Sequence, residues 1–97
     1  MSEETMVIQN VGQPGKTCRV NAAKFRAMQA AILAVLPDSA PGMAVADVIA
    51  AVGPILPQDL FPGGYTAGWW VKAVQLDHEA KGVIARAKGS PVRLYRR

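Results

Sequence analysis

The stretch Tyr65–Gly82, "YTAGWWVKAVQLDHEAKG", decides how the chain folds. Successive helical residues point about 100° apart, so its two tryptophans cannot face the same way. Thr66 is a suitable N-cap and Gly82 a natural C-terminal stop, which predicts a helix running to about Lys81. On a helical wheel Trp69, Ala73, Leu76 and Ala80 share one stripe, and that stripe is expected to face the core. Trp70 and Val74 widen it. Val71, Lys72, Gln75, His78 and Glu79 then form the outer face.

Working back from this helix, "GPILPQDLFPGGY" (53–65) is rich in proline and glycine and reads as a loop with room for one helical turn. Before it, Val45, Val48, Ile49 and Val52 recur at three-and-four spacing, giving a short helix that ends near Gly53-Pro54. "DSAPG" (38–42) is a loop. Phe25, Met28, Ile32, Val35 and Leu36 mark a longer helix, capped by Asn21 and stopped by Pro37. Upstream, Thr5–Val11 and Thr17–Val20 suit two strands joined by a turn at Pro14-Gly15. Downstream, Val92 and Leu94 alternate with Arg93 and Tyr95, and Gly89-Ser90 suits a tight hairpin turn. The expected fold is α+β and mainly α, a single domain over residues 1–97. Three helices are followed by a C-terminal β-hairpin, the order of a winged helix, with a further hairpin at the N-terminus.

Composition narrows the function classes. Sixteen of the 97 residues are alanine, so the core depends on close helix approach as well as on bulky side chains. The lone Cys18 excludes an internal disulfide and a cysteine metal cluster. The acidic start without an apolar core reads as no secretory signal, and the apolar run Ala30–Leu36 is too short for a bilayer span. A cytoplasmic protein without membrane contact is expected. The net charge of +4 is unevenly placed: no acidic residue follows Glu79, whereas Lys81, Arg86, Lys88, Arg93, Arg96 and Arg97 do. Lys16, Arg19, Lys24 and Arg26 form a second basic group. Such surfaces attract polyanions, although runs of charge are commonly just solvated faces.

The segments "RVNAAKFRAMQAAILAVLP" (19–37) and "DLFPGGYTAGWWVKAVQLDHEAKG" (59–82) resemble a family of small, uncharacterised bacterial proteins. The similarity covers nearly the whole chain. It implies a winged-helix-like fold and transfers no catalytic residue. One feature departs from a helix-turn-helix, whose turn is three or four residues. Here residues 53–65 separate the second and third helices, which weakens groove insertion by analogy.

Two functional classes follow. The first is a small non-enzymatic domain that binds nucleic acid, with duplex DNA as the expected partner. The basic hairpin would supply Arg86, Lys88, Arg93, Arg96 and Arg97 to phosphates, with Tyr95 packing beside a sugar. Lys72 and Gln75 would lie nearest base edges, although Asp77 and Glu79 beside them would repel phosphates. The second class is an interaction or oligomerisation module, dimerising through the exposed strand edge "MVIQNV" (6–11). The position of the two basic groups, on one face or on opposite faces, discriminates between them. His78 is expected at the surface and Cys18 half-buried, neither with a second group to support metal binding or nucleophilic chemistry. "FPGGY" lacks the lysine and serine of a phosphate loop. No cofactor or metal is expected.

Overall fold

The computed structural model describes residues 4–97. The chain opens with strands β1 (Thr5–Gln9) and β2 (Thr17–Asn21), antiparallel with Thr5 opposite Asn21 and Gln9 opposite Thr17. The turn forms where proline and glycine require it: Lys16 N–H donates to the Gln13 carbonyl, and Gly15 takes φ 86° after Pro14. Ile8 and Val20 are buried beneath this hairpin. The Asn21 side chain then accepts from Lys24 N–H at 2.9 Å and starts α1 (Ala22–Val35). Phe25, Met28, Ile32 and Leu36 are buried at the predicted spacing, and the helix ends before Pro37.

A two-residue strand, β3 (Met43–Ala44), lies where the sequence reads as loop running into helix. It leads directly into α2 (Val45–Val52), whose Val48 and Val52 are buried. Two 3-10 turns follow, at Gly53–Ile55 and Pro62–Gly64, and Leu56 and Phe61 between them plug the core. After α3 (Ala67–Ala80) come β4 (Ile84–Arg86) and β5 (Arg93–Arg96). The second sheet has the order β3-β5-β4 and is antiparallel throughout. Gly42 makes this closure fit: at φ 84° its backbone lies so close to β5 that a Cβ would collide with the Leu94 carbonyl. The β4–β5 connection is longer than the predicted Gly89-Ser90 turn. Ala87 N–H still reaches the Arg93 carbonyl, so the loop proper spans 88–92.

α3 ends as expected and begins otherwise. Val83 N–H donates to the His78 carbonyl and Gly82 N–H to that of Glu79, a Schellman closure around Gly82 at φ 75°. Thr66, however, sits in the left-handed region at φ 62°, and its hydroxyl donates to the Tyr65 carbonyl instead of capping the helix. The larger correction is rotational. The buried side of α3 carries Ala67, Trp70, Val71, Val74, Gln75, Asp77 and His78, while Trp69 is 57% exposed. The stripe predicted to be core, centred on Trp69, is about half a turn away from it. No helix among the described residues is long and apolar enough to cross a membrane.

Candidate functional site

The polar residues inside α3 hold the fold together. Asp77 is fully buried, and its carboxylate accepts from Gln9 N–H at 2.8 Å, from Lys81 Nζ at 3.0 Å, and shares a 3.0 Å hydrogen bond with His78 Nδ1. The bond to Gln9, with Val11 N–H donating to the Leu76 carbonyl at 3.1 Å, fastens the N-terminal hairpin to the helix. These contacts also occupy two amides of the segment expected to offer a free edge for dimerisation. His78 is buried edge-on to Phe25, with ring centroids 5.8 Å apart, so the expectation of a surface histidine is overturned.

On the other flank, Glu79 takes two hydrogen bonds from Arg86 of β4, at 2.9 and 3.0 Å, and one from Gln75 Nε2 at 3.0 Å. The hydrogen bond to Glu79 holds the Arg86 guanidinium pKa above its ordinary value, against a smaller opposing effect of partial burial. His78 Nε2 and Gln75 Oε1 find no partner among the described residues.

Asp77 and Glu79 point about 200° apart on the helix. The hairpin therefore docks along one flank of α3 and β4–β5 along the other, leaving a strip with Trp69, Lys72 and half-buried Leu76 between them. Beside this strip the hairpin turn and α3 enclose a cleft of about 310 Å³. Its floor is Ile8, Ala73 and Leu76, and its walls carry Asn10, Gln13, Lys16, Cys18, Trp69 and Lys72. Among the described residues no carboxylate lines it. The Pro14-Gly15 turn brings Lys16 to the cleft, and the left-handed Thr66 sets the helix direction that carries Trp69 there.

Of the residues singled out from sequence, Lys72 is exposed and joins this cleft. Gln75 is fully buried and cannot read a base edge, because it is turned inward toward the core and Glu79. Lys88, Arg93 and Arg97 are exposed and Tyr95 half-buried. Arg86 is held by Glu79, and Arg96 Nε donates to the Leu36 carbonyl at the end of α1 at 3.0 Å. Cys18 is exposed, not half-buried, because the hairpin carries it past the core to the cleft wall. Among the described residues no cluster of three or more His, Cys, Asp or Glu side chains could hold a metal ion. Sequence reasoning missed Trp69 and Lys16 as site residues. The usable signal was that two adjacent tryptophans point about 100° apart, so burying one at the centre of the core face turns the other toward its edge.

A family model of unknown function, DUF6958, matches residues 5–94. The chain belongs to this family. No curated protein and no solved structure matches it. The match spans the first hairpin, all three helices and β4 and ends within β5, so every residue that lines the cleft lies inside it.

Proposed function

We propose that the chain is a small non-enzymatic nucleic-acid-binding domain of winged-helix-like architecture. The observation that carries this reading is the arrangement around the outer strip of α3. Lys16 of the hairpin and Lys72 of the strip line one cleft, and the β4–β5 arm, tied to α3 through Arg86 and Glu79, carries the exposed Lys88 and Arg93. The two carboxylates that argued against phosphate binding are neutralised internally, Asp77 by Lys81 and Glu79 by Arg86. The element order supports the architecture, since β3 between α1 and α2 adds to the β4–β5 arm in the order β3-β5-β4. The competing reading, self-association through β1, has less support, because Gln9 and Val11 already donate to α3.

Phosphate contacts of this kind give weak binding with little sequence preference, on the order of 10⁻⁴ to 10⁻⁶ M at physiological salt. The test is a salt titration of binding to a labelled oligonucleotide. The expected log–log slope is about 0.9 per phosphate neutralised on a duplex and about 0.7 on a single strand. Changing Lys88 and Arg93 together to Ala should lower it by about two. Both are exposed and in no ion pair among the described residues, so the fold should persist. Absence of binding at about 50 mM salt, with sedimentation as a dimer, would favour the interaction module instead.

A further inference from the structure

We infer that the cleft between the β1–β2 turn and α3 takes an unpaired nucleotide of single-stranded nucleic acid, its base stacked on Trp69 and its phosphate held by Lys16 and Lys72. The inference rests on the nucleic-acid reading above and specifies what this site binds.

Trp69 is the first observation. It is 57% exposed although it belongs to the residue type with most to gain from burial. Its ring is nonetheless steadied: it meets Trp70 at 5.0 Å and 76°, and Trp70 in turn meets Phe61 at 6.3 Å and 84°. A braced aromatic side chain at the mouth of a cleft offers a stacking platform that any base can use. Charge is the second observation. Lys16 and Lys72 come from different elements and converge on one cleft, with no carboxylate in its lining among the described residues. The side-chain amides of Asn10 and Gln13 add donors and acceptors, and the floor of Ile8, Ala73 and Leu76 is apolar. A cleft of about 310 Å³ lies at the small end of ligand sites and suits a single nucleotide unit.

The same observations disfavour a base-paired ligand. With Gln75 buried, Lys72 is the one charged side chain that α3 brings to the cleft, beside Trp69, Ala73 and Leu76. That set is poorly equipped for the hydrogen-bond code of a major groove. An aromatic ring needs the face of a base, and a duplex shows only the edges.

The test uses the full chain with fluorescein-labelled oligothymidylate and oligouridylate, and a blunt DNA duplex of equal length, by anisotropy at low salt. Single strands should bind more tightly than the duplex. Trp69→Ala should weaken single-strand binding by about 5- to 150-fold with its far-UV circular dichroism unchanged. Lys16→Gln, a change at an exposed turn, should lower the salt slope by about 0.7. Cys18, the sole cysteine, lines the cleft, so bound oligonucleotide should slow its alkylation by a maleimide. Duplex binding that exceeds single-strand binding, an unchanged affinity in Trp69→Ala, or no protection of Cys18 would each overturn the cleft assignment and leave the broader reading standing. Failure of every oligonucleotide to bind would remove both.

Discussion

Replacing each tryptophan of the Trp69-Trp70 pair by alanine tests the rotation of α3 directly, because the substitution is identical and the positions are adjacent. Trp70 is 8% exposed, packed between Phe61 and Trp69, and removing it leaves a hole in the core. Large-to-small aromatic deletions of that kind cost about 3–5 kcal/mol. Trp69 is 57% exposed, so less than half of its surface is withdrawn from water. Scaling the roughly 1.5–3 kcal/mol of a fully buried apolar side chain gives about 1 kcal/mol. The Trp–Trp contact, about 0.5–1.5 kcal/mol, is lost in both variants and does not discriminate. For a domain of this size 1 kcal/mol lowers Tm by about 4–8 °C. Trp70→Ala should therefore lower Tm by at least about 12 °C, and Trp69→Ala by several degrees less. Thermal melts followed by far-UV circular dichroism suit the comparison, since tryptophan fluorescence changes with the substitution itself. With a total stability of about 5–15 kcal/mol, Trp70→Ala could approach unfolding, so Trp70→Phe serves as the milder partner and should lose less. If Trp69→Ala proves as damaging as Trp70→Ala, the helix is rotated from the orientation described above and Trp69 is no platform.

Two further outcomes follow from single contacts. Asp77→Ala should cost about 2–3 kcal/mol, because Gln9 N–H and His78 lose their buried acceptor while Lys81, 39% exposed, recovers water; Asp77→Asn, which retains an oxygen for Gln9, should cost less, and hydrogen exchange of the Gln9 amide should rise only in the alanine variant. Gly42→Ala should destabilise by at least about 1–2 kcal/mol from its left-handed backbone alone, with more from the clash at Leu94, and urea denaturation indistinguishable from the parent chain would refute the close approach of residue 42 to β5.

Local signals in the sequence were sufficient for the three helices and the first hairpin. Asn21 caps α1, Pro37 stops it, Pro14-Gly15 turns the first hairpin and Gly82 closes α3, each because its backbone preference needs no distant partner. The direction α3 faces was a different matter. Apolar side chains surround the helix, and Gln75, Asp77 and His78 lie on its buried side, so periodicity pointed to Trp69 as the core residue. Only packing reveals that Asp77 is held inside by Gln9, Lys81 and His78, and that the Gln75 amide nitrogen reaches Glu79. β3 was hidden for a related reason: two residues carry no period, and their strand exists because β5, fifty residues later, arrives to pair with them. The same holds for the basic residues, which look alike in a sequence. Glu79 and the Leu36 carbonyl engage Arg86 and Arg96, whereas the folding of the hairpin against α3 leaves Lys16 and Lys72 facing one cleft. Propensity and capping act over a few residues and can be read one by one. Which side of α3 is buried, and which cations keep an open face, depends on long-range contacts that exist only once the chain has closed.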